Sequence, residues 1–167
     1  TETSTESQEP QQQSPTSSVP SSLIERYNKF SGLFEKYANE QKPRAWDKDE
    51  FKALLVAIAQ KESSLGYPNG GNTFNDNLLM GYMVTGMTGA EDQIKGASAT
   101  LKNALDKRNS LYSDCDHETN NREHLICILS VYNTGKKDSS YLFGFFGNTE
   151  GEKYANEVLE LYYLWRV

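Results

Sequence analysis

The chain has little of what marks several classes of protein. Of its 167 residues two are cysteines and two are histidines, and no apolar run approaches the roughly 18 residues that cross a bilayer. The net charge of −6 is modest and mixed with basic residues, so neither a nucleic-acid surface nor a polybasic membrane patch is indicated. These absences exclude a transmembrane helix from the sequence and favour a neutral or polar substrate.

What the chain does contain is enough for one folded domain. At 167 residues and 37% hydrophobic content it can bury a core, and two independent halves are not expected. Ten tyrosines and seven phenylalanines supply core filler as well as flat faces suited to sugar rings.

The first 22 residues have a different composition from the rest. They are rich in Ser, Thr, Gln and Pro, and Val19 is their one apolar residue besides the prolines. Such a segment cannot bury enough surface to offset the entropy of ordering it. We therefore predict a disordered tether over residues 1–22, as exported or surface-anchored proteins carry, with a linker or cloning remnant as the alternative.

From Leu23 onward apolar residues recur at helical spacing, which predicts a mainly α domain over residues 23–167. A stripe from Leu23 to Tyr37 predicts a first helix that ends before Pro43. Four further helices are expected. Three begin at capping boxes, formed by Asp47 with Glu50, Thr88 with Glu91, and Thr149 with Glu152. The fourth begins at Thr119.

Two stretches break the helical pattern. Residues 67–87 are dense in Gly and Asn, and residues 136–148 also carry glycines. The first predicts an irregular loop with at most a small β-hairpin, and the second predicts another long loop. Long ordered loops in a helical domain are more often binding surface than accident.

Glu62 ends an otherwise apolar helix. A helix turns about 100° per residue, so the eleven steps from Phe51 return Glu62 to within roughly 20° of the same direction. We expect its carboxyl to face the core, where its pKa would rise and suit it to donate a proton near neutral pH. The alternative is a side chain that reaches solvent or pairs with a basic residue.

A resemblance to a known family rests on three segments of the chain. They are QKESSLGYP (60–68), ILSVYNTGK (128–136) and NTEGEKYANEVLELYYLW (148–165). Together they resemble the catalytic domain of soluble lytic transglycosylases, in the goose-type lysozyme-like superfamily, over about residues 23–167. In that family a helix ends in Glu-Ser, a later one ends in Tyr-Asn near a Gly, and a Glu precedes a Tyr by four residues. The matching positions are Glu62-Ser63, Tyr132-Asn133 with Gly135, and Glu150 with Tyr154.

The resemblance implies a lysozyme-like helical fold and cleavage of the MurNAc–GlcNAc β-1,4 bond of peptidoglycan. Glu62 would protonate the leaving oxygen and then deprotonate the MurNAc 6-hydroxyl, which attacks C1 and leaves a 1,6-anhydro end. The substrate's N-acetyl group would assist, so neither a second carboxylate nor a cofactor is expected. The enzyme would work outside the cytoplasm on glycan strands, anchored through its tether, with wall-associated proteins as further partners.

Other residues receive supporting roles from the same resemblance. Tyr132 would hold the Glu62 carboxyl and the reacting acetamido group, with a core tyrosine as the alternative. Ser63 and Asn133 would be polar groups that support substrate binding, and Glu150 would line the groove. Ser63 equally fits a residue that merely ends its helix.

One expected motif is missing. The family places Gly-Leu-Met-Gln after the acid, whereas this chain offers LLMG at 78–81 or GYMV at 81–84, neither with the Gln. We expect Asn75, Asp76 and Met83 to contact substrate instead. If Asp76 orients a water, the enzyme would be a lysozyme-type muramidase; a non-catalytic glycan-binding module and an N-acetylglucosaminidase are further alternatives.

Both cysteines and both histidines lie in one short stretch, as Cys115, His117, His124 and Cys127. A Cys115–Cys127 disulfide is the favoured interpretation for an exported protein. Free thiols are the second, and a zinc site formed by all four residues is the third, since His124 and Cys127 share one helical face.

Overall fold

The computed structural model describes residues 18–82, 88–107, 115, 121–134 and 150–166. Within these ranges the chain forms six α-helices and two short 3₁₀ turns, Pro68–Gly70 and Asp76–Leu78, and no β-strand. The predicted mainly α class is confirmed. The helices are α1 (Ser21–Asn28), α2 (Ser31–Gln41), α3 (Lys48–Ser63), α4 (Gly89–Leu105), α5 (Asn121–Thr134) and α6 (Glu150–Trp165).

Several predictions fall outside the described residues. Residues 1–17 of the predicted tether are among them, while Ser21 and Ser22 already belong to α1, two residues before the predicted boundary. The other positions outside the described part are Met83, His117, Thr119, Gly135, Thr149 and the loop at 136–148.

Helix α3 is the core of the fold. Every residue from Ala53 to Ala59 is buried, so this helix is covered on all sides. It packs against α2 and α6, α5 packs against α6, and α4 packs against α2 and α5. Because α3 is fixed from all directions, the side chains of its last turn are held on a rigid support.

The start of α3 agrees in part with the predicted capping box. The Asp47 side chain accepts a hydrogen bond from the backbone N–H of Glu50 at 2.8 Å, which satisfies one free amide of the first turn. Glu50 does not bond back to Asp47. Its carboxylate pairs with Arg166 just beyond α6, and this ties the two helices together at that end.

The single first helix predicted over residues 23–42 is wrong. The backbone leaves helical geometry at Phe30 (φ −119°, ψ 1°), and two helices, α1 and α2, result. The apolar stripe nevertheless continues, because Phe30, Phe34 and Tyr37 are all buried. Spacing alone therefore gave no sign of the break.

The capping box predicted at the start of α4 is also wrong. Thr88 occupies the N-cap position without a side-chain bond, and Glu91 is engaged by the Tyr37 hydroxyl of α2 at 2.7 Å. The first amides of α4 are satisfied from the preceding loop: Gly89 N–H donates to Asn77 at 2.7 Å, and Ala90 N–H donates to Asp76 at 3.3 Å. The loop at 75–78 is thereby fastened to α4.

The predicted disulfide is present. Cys115 and Cys127 are bonded, with their Cα atoms 5.7 Å apart, and both are buried. The free-thiol and zinc interpretations, which need unbonded sulfurs, do not describe this structure. His124 is a buried core residue of α5.

Candidate active site

The candidate active site is centred on the carboxyl group of Glu62, in the last turn of α3. The side chain is half-buried, and its Oε1 accepts a hydrogen bond of 2.6 Å from the hydroxyl of Tyr154 on α6. Helices α3 and α6 run antiparallel, since Glu50 meets Arg166 at one end and Glu62 meets Tyr154 at the other. The acid and the phenol are therefore brought together by two packed helices rather than by a loop.

Gly81 forms the other wall of this site. Its backbone is left-handed (φ +61°), and a Cβ added there would lie 2.5 Å from Cδ of Glu62 and closer still to Oε2. No other residue fits without moving the carboxyl, and glycine is also the residue that adopts this conformation without strain. The main chain at Gly81 thus takes the place of water beside Oε2 of Glu62.

The main chain around Gly81 is held by buried Gln93 of α4. Its Oε1 accepts hydrogen bonds from the N–H groups of Met80 and Tyr82, at 3.2 and 3.1 Å, and its Nε2 donates to the carbonyl of Tyr82 at 2.7 Å. One amide side chain therefore satisfies three backbone groups on either side of the glycine. We call residues 79–82 the clamped segment.

Two more helices fasten the clamped segment. The Ser63 hydroxyl of α3 donates to the carbonyl of Leu79 at 2.8 Å, and the Tyr132 hydroxyl of α5 donates to the carbonyl of Met80 at 2.6 Å. Leu79 and Met80 are both buried. Contacts from α3, α4 and α5 together fix the segment that presses on Glu62.

Burial dominates the electrostatics of this carboxyl. Loss of water around Glu62 raises its pKa above the ordinary 4.5, while the hydrogen bond from Tyr154 and the charge of Lys61 oppose that rise. Lys61 itself pairs with Glu157 on α6, which offsets its charge. The net result is an acid that keeps its proton to higher pH than an exposed glutamate, the property that a general acid needs.

The residues predicted to assist Glu62 are near it, but in different roles. The Tyr132 hydroxyl donates to the carbonyl of Met80, and the phenol that donates to the Glu62 carboxyl belongs to Tyr154. Tyr132 is thus tied to the segment that packs against Glu62, and its expected contact with substrate stays a prediction. Ser63 is 1% exposed and positions the same segment, so it is a structural residue rather than a substrate contact.

The loop residues predicted to contact substrate have other partners. Asn75 accepts a hydrogen bond from the backbone of Asn77 at 3.1 Å, and Asp76 caps α4. A carboxylate occupied by a helix N-terminus is poorly placed to orient a water at Glu62. Asn133 is half-buried at the end of α5, and Glu150 is exposed, one turn before Tyr154 on the same side of α6.

Gln93 and Gly81 are site residues that the sequence did not identify. Tyr154 was identified as a motif position four residues after Glu150, but without a role at the carboxyl; its ring is buried and its hydroxyl reaches Glu62. Gln93 adjoins the apolar face of α4. A polar residue at an otherwise apolar position is the one sequence feature that could have marked it as a site residue. The glycine in LLMG was visible, but its contact with Glu62 depends on tertiary packing.

A sizeable cavity lined by described residues lies elsewhere. It measures about 560 Å³ and is lined in part by Trp46, Glu50, Tyr162 and Arg166. Glu50 is twelve residues before Glu62 on α3, so this cavity is about 18 Å away along the helix axis. The Glu50 carboxylate is paired with Arg166, whereas the Glu62 carboxyl is shielded and accepts a hydrogen bond from Tyr154.

No group of three His, Cys, Asp or Glu side chains within the described ranges is arranged to hold a metal ion. Nor does any helix there combine the length and the hydropathy needed to cross a membrane. No family model, curated protein or solved structure matches the chain. The case for function therefore depends on the geometry around Glu62.

Proposed function

We propose that this protein is a peptidoglycan-cleaving lytic transglycosylase in which Glu62 is the single acid and base. The observation that supports this most is the shielded carboxyl at the end of the buried helix α3, held by Tyr154 and backed by Gly81. A proton-holding acid on a rigid helix is what protonation of a glycosidic oxygen requires. The order of the Glu-Ser, Tyr-Asn and Glu-Tyr motifs along the chain points to the same chemistry.

The proposed reaction uses the Glu62 carboxyl twice, first as acid and then as base. Protonated Glu62 donates to the glycosidic oxygen as the C1–O bond breaks, and the substrate's N-acetyl group supports C1. Ionised Glu62 then takes the proton of the MurNAc 6-hydroxyl as that oxygen bonds to C1. The acid is regenerated, a 1,6-anhydro end is formed, and no water is consumed.

The Tyr154 hydroxyl fits both halves of this cycle. It donates to Oε1 whether the carboxyl is protonated or ionised, and it stabilises the ionised form more strongly because hydrogen bonds to charged groups are the stronger ones. Tyr154 thereby moderates the effect of burial, so that Glu62 can both give and take a proton.

Hydrolysis by a muramidase is less well supported. It needs a group that activates water, and Asp76, the residue predicted for that role, has its carboxylate on the first turn of α4. The buried disulfide is consistent with the proposed location outside the cytoplasm, where disulfides persist. Glycan strands of the wall are the proposed partner.

Digestion of purified sacculi with product analysis by mass spectrometry tests the proposal. The wild-type chain should release anhydro-muropeptides, each one water lighter than the reducing product of hydrolysis. Glu62→Gln should abolish release, whereas Glu160→Gln, at an exposed position on α6, should leave it unchanged. Reducing ends would indicate a muramidase, and intact strands with measurable binding would indicate a glycan-binding module.

A further inference from the structure

An aromatic cluster lies on the surface beside the loop that leaves Glu62. The ring of Phe74 stacks on Phe30, with centroids 5.9 Å apart and planes 9° apart, and the edge of Tyr67 meets Phe74 at 5.6 Å. Phe30 is buried, yet Phe74 is 44% exposed. Phe74 is therefore a large ring fixed from below and open to solvent.

Two cations sit over these rings. The guanidinium carbon of Arg26 lies 4.2 Å from the centroid of Tyr67, and Nζ of Lys29 lies 5.2 Å from that of Tyr67 and 5.3 Å from that of Phe74. Lys29 also donates to the Tyr67 hydroxyl at 2.9 Å. We call Arg26, Lys29, Tyr67 and Phe74 the aromatic platform.

The charge on the platform is not neutralised by an ion pair within the part of the chain that the structure describes. Neither Arg26 nor Lys29 forms an ion pair with a described residue, although basic residues elsewhere do, among them Lys36, Lys48, Lys52, Lys61 and Arg166. Lys36 and Arg166 also lie over aromatic rings, but each of them is paired with a carboxylate. Arg26 and Lys29 offer positive charge to an anionic group from outside.

The platform is built onto the end of the candidate active site. Arg26 donates to the carbonyl of Ser64 at 3.2 Å, two residues after Glu62, and Tyr67 follows Glu62 by five. Phe74 packs on Gly66 so closely that a Cβ there would lie 2.8 Å from the ring. The loop that leaves Glu62 therefore carries a surface with both an apolar face and positive charge.

We infer that the aromatic platform is a substrate subsite that binds the anionic peptide stem of peptidoglycan, an inference that rests on the proposed function. Phe74 would stack on a sugar ring next to the scissile bond, and the two cations would bind stem carboxylates by charge-assisted hydrogen bonds. Two basic residues suit a local carboxylate rather than a long polyanion, which needs many phosphate contacts.

Co-sedimentation with sacculi tests this inference, with the Glu62→Gln chain so that no strand is cleaved. One set of sacculi is intact and the other is treated with an amidase that removes the peptide stems. Arg26→Gln combined with Lys29→Gln should weaken binding to intact sacculi by about 10-fold and leave binding to stripped sacculi unchanged. Phe74→Leu, which keeps apolar bulk, should weaken binding to both by roughly 5-fold.

Matched controls separate the subsite from general effects. Lys42→Gln removes an exposed cation away from the platform, and Tyr163→Leu removes the ring of a 54% exposed aromatic residue on α6. Both should bind like the parent, and every variant should melt well above the temperature of the binding assay, so that a loss of binding does not reflect unfolding. Equal binding of the parent to stripped and intact sacculi, or equal losses in the controls, would overturn the subsite.

The two proposals fail in distinguishable ways. If wild-type protein releases no muropeptides but the platform variants still lose stem-dependent binding, the catalytic proposal fails and the subsite stands. If cleavage occurs and binding is indifferent to the platform, only the subsite fails.

Discussion

Replacing Gly81 with Ala perturbs the candidate site at one atom. The new Cβ would lie 2.5 Å from Cδ of Glu62, so the carboxyl must retreat by about 0.9 Å to reach the 3.4 Å of an ordinary contact. Because the carboxyl ends a flexible side chain, it can swing away at little cost in folding, and it would lose its bond to Tyr154. The main expected effect is therefore on chemistry.

The size of the effect follows from the geometry. Misplacement of a reacting group by about 1 Å can cost on the order of 100-fold in rate. We expect a comparable fall in muropeptide release by Gly81→Ala, equivalent to about 2.7 kcal/mol in the barrier. The free energy of unfolding should fall by about 1–2 kcal/mol, mostly because alanine resists the left-handed backbone.

Gly70 provides the matched control. It has a similar left-handed backbone (φ +66°), but an added Cβ would meet nothing within 4 Å. Gly70→Ala should lose similar stability, measured by urea unfolding, and keep its rate of release. Rates for the two variants within about threefold of each other would refute the argument that Gly81 sets the position of Glu62.

Three further predictions test the surroundings of the acid. Tyr154→Phe removes a donor that lowers the pKa of Glu62, so the alkaline limb of the pH–rate profile should move to higher pH; Tyr163→Phe should not move it. Because the pKa of Glu62 is raised on folding, its stabilising contribution is full below pH 4.5 and is lost as pH rises through the folded pKa. Glu62→Gln should therefore unfold less readily than wild type at pH 7, with the advantage gone at pH 4, in parallel thermal melts. Reducing the Cys115–Cys127 bond, which closes a short loop, should cost about 3 kcal/mol in urea unfolding; an unchanged midpoint with dithiothreitol would contradict this.

Sequence patterns were enough to predict the central helix. The apolar run before Glu62, the cap at Asp47 and the eleven-residue return from Phe51 are local features, and they predict a coreward acid at the end of a buried helix. Glu62 is half-buried there, with a raised pKa. Such features transfer from sequence to structure because helical geometry fixes them.

The surroundings of Glu62 were not predictable in the same way. Choosing Tyr154 over Tyr132 as its hydrogen-bond partner requires knowing how α5 and α6 pack against α3. The roles of Gln93 and Asp76 depend on which backbone groups a loop leaves unsatisfied, and no spacing rule shows that. The break at Phe30 was hidden because the apolar stripe runs through it.

The most direct measurement of the central claim is a pH titration of the Glu62 carboxyl by carbon NMR, with glutamate labelled at Cδ. The structure predicts a resonance with a midpoint above the ordinary value of 4.5, absent in Glu62→Gln and moved higher in Tyr154→Phe. A Glu62 midpoint at or below 4.5, unaffected by loss of the Tyr154 hydroxyl, would contradict the account.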